Sequence, residues 1–590
     1  MKYQLIENSK NDINNFLETV LENRNITDID SFRKSNSELL EKNSFEDLDN
    51  INEGVELLLK HINKKSKITL IVDPDVDGIT SSAILYNYLK DAFKDISFIT
   101  PISHSGKGHG LSKDIEIPED TEFIIIPDAG SNDYGEIAKY HEKGIEILII
   151  DHHIISNGYS PFATVINNQE SKNYSNKDFS GVGVVYRFLQ ALDDALFLTN
   201  ADNYLDLVAI GLIADIMDTT DYETRYFIQQ GLLKKHLKNP FLKQLLKLTK
   251  QSDKYLDKYI IISDVAFGIA PALNATMRFG TADEKLAVFK CFTATQEELE
   301  QDKFGKKVYD MCINNKTKQN EDKAISSTKI IQTLTKDQIE NDKILIIDAT
   351  DIIDKTLTGV TAMELAAHFK RPVLIGTVNK GILSGSIRNY SGFPCERLKT
   401  ELEETGLFTF LEGHEGAAGF SLPIENKQKV IDIWNEKYKD IKIEGNYAVD
   451  FILNFSALSN SDYYLIDTYR YLWGTGVPEP LFAIINIPFY PENIKVMGTN
   501  KDTAKYEYQG KSFIKFHLPK DDKLLEMANE YDLTKSYVMN VVGKISMNHF
   551  AGRTTPQVML EDYDIIEITG DVDPRKKEDE TKDFNIWSDI

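Results

Sequence analysis

Apolar residues in this chain fall into a few distinct patterns. Between about residues 67 and 285 they form continuous runs: Ile68-Thr69-Leu70-Ile71-Val72, Phe123-Ile124-Ile125-Ile126-Pro127 and Ile145-Glu146-Ile147-Leu148-Ile149-Ile150. Such runs read as strands buried on both faces of a parallel sheet, and the stretch from Ile79 reads as a helix. Before them, residues 1–66 are polar, with Val55, Leu58, Leu59 and Ile62 at helical spacing, which predicts a helical cap on the first domain. A second α/β unit opens with Lys343-Ile344-Leu345-Ile346-Ile347-Asp348 and ends near Pro423. From about residue 446 the runs are short and separated by turn residues, as in a small β-barrel. No internal repeat or low-complexity segment is evident.

The three long runs all stop on an aspartate: Asp73, Asp128 and Asp151. Ligands in open α/β sheets sit beyond the carboxyl ends of the strands, so these three carboxylates converge on one crevice. The first run continues through Asp75 and Asp77 to Gly78, the third through His152 and His153, and a mostly apolar, helix-like stretch from Asp206 ends on Asp215. A strand-terminal aspartate is by itself usually a turn or capping residue, and a His-His pair is equally weak. The ordered conjunction on successive βα units is what points to a site, whereas Asp348, which lacks that context, reads as a turn residue. So many carboxylates cannot stay ionised in a cleft without cations. Carboxylate oxygens with imidazole suit Mn²⁺ or Mg²⁺, then Zn²⁺ or Fe²⁺, and two neighbouring ions are the usual apparatus of phosphoester hydrolysis.

Sixty-seven basic and ninety-two acidic residues give a formal net charge of −25. That sum argues against nucleic acid only superficially, because binding follows local potential. Part of the acid lies in the tail 571–590, expected to be solvated and mobile, with Phe584-Asn585-Ile586-Trp587 as an alternative docking peptide. Cys291, Cys312 and Cys395 show no paired spacing and read as buried reduced thiols. The N-terminus lacks the apolar core of a signal peptide, and no run approaches eighteen uncharged apolar residues, so the expectation is a cytoplasmic, membrane-free monomer.

The order Asp-x-Asp-x-Asp-Gly (Asp73 to Gly78), strand-Asp (Asp128), Asp-His-His (Asp151 to His153) and Gly-x-x-Ala-Asp (Gly211 to Asp215) resembles the four motifs of the DHH phosphoesterase superfamily. Phe267 to Arg278 is similar to the Pro-Arg-x-Asn-Ala-Ala-Gly-Arg element of its RecJ-type single-strand exonucleases, without the first Arg and the Gly. Gly385-Ser386-Ile387-Arg388 and Gly413-His414-Glu415-Gly416-Ala417-Ala418-Gly419 resemble elements of the associated DHHA1 domain, with Glu412 in place of a Gly. Trp473 to Phe482 resembles the stretch that opens an OB-like domain.

The resemblance implies an α/β fold: a helical cap (1–66), a parallel-sheet DHH domain (67–285), a connector helix (286–335), a smaller DHHA1 domain (336–425) and an OB-like barrel (446–570). The connector is inferred from a charged stretch whose Ile313 to Gln319 is similar to the family's Asn-x-x-Arg-Gln run. The implied activity is 5′-to-3′ hydrolysis of single-stranded DNA to mononucleotides. Asp73, Asp75 and Asp128 would hold one divalent ion and Asp77, Asp128, His152 and Asp215 the other, Mn²⁺ ahead of Mg²⁺. His153 would contact the phosphate and Asp151 orient an imidazole, although the two histidines can be exchanged in this reading. Arg278, Asn274, Ser386, Arg388 and His414 are the implied substrate-binding residues, with Ser386 and Arg388 on a Gly-flanked turn. In the loop from Pro101, Ser103 stands where the family has Arg, leaving His104, Lys107 or His109 to substitute. A single-strand-binding protein or a helicase is the expected partner. The alternatives are a DHH phosphodiesterase for short oligonucleotides or cyclic dinucleotides, and a non-catalytic single-strand-binding replication factor.

Overall fold

The chain divides into two units: Met1–Ile29, Glu444–Leu472 and Pro478–Ile590 form one, and Asp30–Ile443 with Trp473–Val477 forms the other. The computed structural model describes residues 1–7, 9–34, 40, 43–106, 108–112, 115–249, 259–390, 392–395, 397–441, 446–498, 501–532, 534–550 and 553–568. The expected mobile tail, 571–590, lies outside them.

The first unit corrects the expected cap. Strand β1 (Lys2–Leu5) pairs in parallel with a strand more than four hundred residues later, Asn446–Val449, so residues 1–29 belong with the C-terminal strands. Arg24 and Asp450 tie the same pieces together, with Nη1 to Oδ1 at 2.7 Å and Nη2 to Oδ2 at 3.2 Å, both side chains nearly buried. Four alternating residues are too short for their period to stand out beside the helical signal of residues 51–64, which is why the sequence read as one cap.

In the larger unit, α1 (Ile51–Lys64) buries Val55, Leu58 and Ile62 as the spacing predicts. Five parallel strands follow: β2 (Ile68–Val72), β3 (Ile99–Ser103), β4 (Phe123–Pro127), β5 (Glu146–Asp151) and β6 (Thr164–Asn167), in the spatial order β3-β2-β4-β5-β6. Every residue of β2 and β4 is buried, which accounts for their unbroken apolar character. Strand order reverses at β2, so the crevice between β2 and β4 is the switch point of the sheet. Helices α2 (Val76–Ala92), α3 (Gly181–Leu196) and α4 (Leu205–Ala214) pack over it and share one apolar core with α1.

Residues expected as a single connector helix form three. Capping boxes at Thr281/Glu284 and Thr295/Glu298 each start a new helix, so Ala282–Thr293 and Gln296–Glu300 precede the long helix Phe304–Thr333. The second α/β unit is a mixed sheet of β7 (Leu345–Asp348), β8 (Val373–Asn379), β9 (Ile382–Arg388), β10 (Phe410–His414) and β11 (Ala417–Pro423), in the order β10-β11-β9-β8-β7. It runs past residue 425, because Val430, Ile431 and Trp434 of the helix Lys427–Lys437 belong to its core. Asp348 caps a turn by accepting from the Thr350 amide at 3.0 Å.

After β12 (Asn446–Val449), the smaller unit contains a seven-stranded sheet of β13 (Phe451–Asn454), β14 (Phe482–Phe489), β15 (Ile494–Met497), β16 (Thr503–Tyr508), β17 (Lys511–Lys515), β18 (Ser536–Phe550) and β19 (Arg553–Ile568). Its order is β13-β14-β18-β19-β17-β16-β15, with a bulge at Val542/Gly543 in the long β18–β19 pair. Among the described residues no helix is long and apolar enough to cross a membrane. The three cysteines are free and buried.

Candidate active site

Each carboxylate of the crevice is placed by the end of an element. Asp73 follows β2; Asp75 is the N-cap of α2, accepting from Gly78 N at 2.9 Å; Asp77 lies in the first turn of that helix. Asp128 follows β4 in the left-handed region, φ 71°, a conformation a non-glycine residue keeps only where its surroundings enforce it. Its amide is held by Ile150 O at 2.7 Å. Asp151 ends β5 and Asp215 is the C-cap of α4.

The set converges on His152. Its Nε2 lies 3.3 Å from Asp128 Oδ1, 3.5 Å from Asp215 Oδ2 and 4.0 Å from Asp77 Oδ2. Those three oxygens are buried, and no hydrogen-bond partner is found for them among the described residues. Burial, then the neighbouring His153, pushes the His152 imidazole down to about 3, so it is a neutral lone-pair donor at ordinary pH. Burial also raises the carboxyls: Asp77 to about 6, Asp128 and Asp215 well above the usual range, with neighbouring aspartates adding to the shift at Asp128 and Asp215. Buried acceptors without donors around a neutral imidazole match what a divalent cation needs. Ligand atoms of Asp77, His152 and Asp215 all lie within 4.8 Å of one another, as do those of Asp73, Asp75 and Asp128; the residues fit a metal site.

The supporting shell is built from helix α3 and two loops. Ser180 Oγ (3.0 Å) and Val182 N (3.1 Å) donate to Asp77 Oδ1, leaving Oδ2 toward His152. Between them, Gly181 has no room for a side chain, since a Cβ would lie 2.0 Å from Asp128 Oδ1. Gly78 and Gly211 are likewise required, against Asp73 Cβ (2.5 Å) and Asp77 Oδ1 (2.6 Å). Asp151 accepts from the amides of His152 (2.7 Å), His153 (3.2 Å) and Ser131 (3.1 Å), and from His153 Nδ1 at 2.8 Å. Burial opposes both charges of that pair, but their attraction outweighs it: Asp151 is held far below the usual range and His153 is pushed up to about 10. His153 sits deep among protein groups, yet 55% of its side chain is open to solvent, as expected at a cleft floor.

The loop after β3 settles several expectations. Ser103 Oγ donates to Val72 O at 3.0 Å, and His104 is fully buried with Nε2 on Gly110 O at 2.9 Å, so neither replaces the missing Arg. Lys107 lies outside the described residues. His109 does reach the site, with Nδ1 2.7 Å from Asp73 Oδ2, while Gly110 N donates to Oδ1 at 3.0 Å.

Of the residues expected to bind substrate, Ser386, Arg388 and His414 lie on the second sheet, and Asn274 and Arg278 on the helix Ala270–Phe279. Ser386 and Arg388 lie on strand β9, not on a turn. Gly385 marks a close strand approach, its Cβ position being 1.9 Å from Ile375 O. Arg388 is lowered to about 10 by burial and then by the positive charge of Arg278, and no carboxylate is bonded to Arg388 among the described residues. Arg278 in turn interacts with Asp215, and His414, at the end of β10, with His153 and Arg388. Asn274 Oδ1 accepts from Val76 N at 3.2 Å, so its carbonyl serves the first turn of α2. The sequence reading missed the N-terminus of the helix Thr358–Phe369: Thr358 Oγ1 is 2.9 Å from Ser386 Oγ, and the Cβ position of Gly359 is 2.9 Å from Arg388 Nη2. It also missed Ser180-Gly181-Val182-Gly183, although small residues ahead of an apolar helical run signal a helix N-terminus that approaches an acidic group.

A switch-point crevice with this carboxylate and imidazole set defines a DHH-type phosphoesterase. Residues 67–212 match the DHH family, N-terminal domain, and residues 449–562 match the RecJ OB domain. A putative prophage-derived single-strand DNA-specific exonuclease of Bacillus subtilis (strain 168), YorK, is 37% identical over 96% of this chain and 98% of its own length. The single-stranded-DNA-specific exonuclease RecJ of Haemophilus influenzae is 24% identical over 87% of this chain and 90% of its own length. Among solved structures, RecJ of Thermus thermophilus in complex with Mn²⁺ superposes with a TM-score of 0.66 at 18% identity, over 95% of this chain and 79% of that one, a likeness of fold. The chain belongs to the RecJ-type exonuclease family of the DHH superfamily.

Proposed function

We propose that this protein is a metal-dependent exonuclease that hydrolyses single-stranded DNA from its 5′ end to mononucleotides, using two divalent ions, Mn²⁺ first and Mg²⁺ as the alternative. The reading is carried by three donorless carboxylate oxygens gathered around the neutral Nε2 of His152. Asp73, Asp75 and Asp128 would hold one ion and Asp77, Asp128, His152 and Asp215 the other. When bound, the ions would supply Lewis-acid stabilisation of the reacting phosphate and a lowered pKa for the attacking water. His153, fixed through Nδ1 by Asp151, offers Nε2 to a phosphate oxygen. Asp151 acts through that imidazole and not on the substrate. The relatives' names support the substrate class. Digestion of strands labelled at either end, with Mn²⁺, Mg²⁺ or chelator, tests metal need, polarity and product length together; label released last from the 5′ end, or undiminished cleavage in chelator, would refute the reading.

The end of the strand is proposed to be held by Arg388, Ser386 and Arg278, beside the N-terminus of Thr358–Phe369. Arg388→Ala is expected to reduce the advantage of a 5′-phosphorylated over a 5′-hydroxyl strand by about 1.5 to 3 kcal/mol, and Arg388→Lys to restore part of it. The ratio of initial rates on the two strands measures this. A uniform loss with an unchanged ratio would place Arg388 on the strand backbone.

A further inference from the structure

The crevice contains a second aspartate-anchored imidazole built like the first. In the Asp151–His153 pair a buried carboxylate takes backbone amides on both oxygens and an imidazole Nδ1 on one, and the ring opens to the cleft. Asp73 follows the same plan with a single amide: it is buried, Oδ1 takes the Gly110 amide, Oδ2 takes His109 Nδ1 at 2.7 Å, and 64% of the His109 side chain is open to solvent. His109 Nε2 has no partner among the described residues, and the two imidazoles lie close enough to interact electrostatically.

The loop that carries His109 is fixed at several points. Lys285, fully buried, donates to His104 O (3.0 Å) and Gly106 O (2.6 Å); buried His104 holds Gly110 O; and Leu111 N donates to Asp133 Oδ2 at 2.7 Å. Gly110 adopts φ 54°, where its Cβ position would be 2.2 Å from Asp133 Oδ2, so the turn that aims His109 tolerates only glycine. A buried lysine spent on two loop carbonyls is a costly arrangement for an ordinary surface loop.

We propose that His109 is a second phosphate-contacting residue of the active site, hydrogen-bonding the reacting phosphate through Nε2 while Nδ1 steadies Asp73. The inference rests on the exonuclease reading above. It assigns His109 to the scissile phosphate, beside the carboxylates, and not to the terminal phosphate near Arg388.

Asparagine and alanine separate the two ring nitrogens. His109→Asn keeps a donor where Nδ1 sits but has nothing at Nε2; His109→Ala loses both. On the full chain, Mn²⁺ affinity is measured by titration calorimetry without DNA, and kcat on 5′-phosphorylated and 5′-hydroxyl single strands at saturating Mn²⁺. Both variants are expected to lose about 10²-fold in kcat, as for loss of one preorganised donor. Mn²⁺ binding should be unchanged in the Asn variant and about 10-fold weaker in the Ala variant, the scale of an outer-shell partner. Wild-type kcat in His109→Asn would overturn the proposal by reducing His109 to a support for Asp73. A change confined to the ratio between the two strands would also overturn it, moving His109 to the 5′ end. Failure of the wild-type chain to cut either strand with Mn²⁺ bound would instead overturn the exonuclease reading and this proposal with it.

Discussion

Asp128→Asn is expected to lower turnover by about 10²-fold or more while raising the melting temperature of the metal-free protein. Asp128 Oδ1 is one of the three donorless oxygens, and Asp128 is the residue proposed to serve both ions, so the change removes charge from both. In the absence of metal the same charge is a liability: burial, then Asp77 and Asp75, hold the Asp128 carboxyl well above its usual range. An amide there ends that repulsion and can donate to a neighbouring orphan oxygen. The pH dependence has a defined sign. The Asp77 carboxyl rises from 3.8 to about 6 in the fold, so its contribution to metal-free stability is full below 3.8 and lost as pH rises through about 6. Melting temperature in chelator should therefore fall from pH 4 to pH 7, and Mn²⁺ should reverse the loss at pH 7, by about 2.7 kcal/mol at a hundred times Kd. Asp348→Asn, at the exposed end of β7, should change neither quantity. Full activity in Asp128→Asn would remove it from the proposed metal set.

Much of this site was legible because parallel strands announce their ends. Apolar runs that stop on Asp73, Asp128 and Asp151 place three carboxylates at one edge before any coordinate is known, and the fold puts Asp73 and Asp128 at the switch point with Asp151 on the neighbouring strand. What stayed hidden depends on atoms meeting across long separations. Nothing local to His109 signals that its ring reaches Asp73, thirty-six residues earlier. Gly385 was misread for a related reason: a glycine marks a turn or a close strand approach equally well, and only the pairing of β9 with β8 decides between them. The split of residues 1–66 likewise depends on the pairing of β1 with β12, which four residues cannot advertise. The connector was the exception, since Thr281/Glu284 and Thr295/Glu298 carry capping-box spacing in the sequence itself.

Gly181→Ala is expected to lower turnover by about 10²-fold or more, the scale of a misplacement of about 1 Å, although helix propensity alone favours alanine over glycine by up to about 1 kcal/mol. Gly181 opens α3 with no left-handed φ, so its backbone accepts a side chain; the obstacle is Asp128, whose Oδ1, Cβ and Cγ would lie 2.0, 2.6 and 2.6 Å from the new carbon. Asp128 has little freedom to retreat, being buried, in the left-handed region and pinned through its amide to Ile150. The start of α3 must then move instead, and Ser180 Oγ and Val182 N leave Asp77 Oδ1 as it does. One methyl group thus displaces two proposed ligands. Gly183→Ala, two residues on, meets the Phe179 ring at 2.6 Å and no carboxylate, so it should lower the melting temperature yet leave Mn²⁺ affinity unchanged. Calorimetric Mn²⁺ affinity and kcat on a 5′-phosphorylated strand, measured for both variants, separate damage to the site from damage to the core. Wild-type turnover in Gly181→Ala would show that Asp128 has slack this packing denies it.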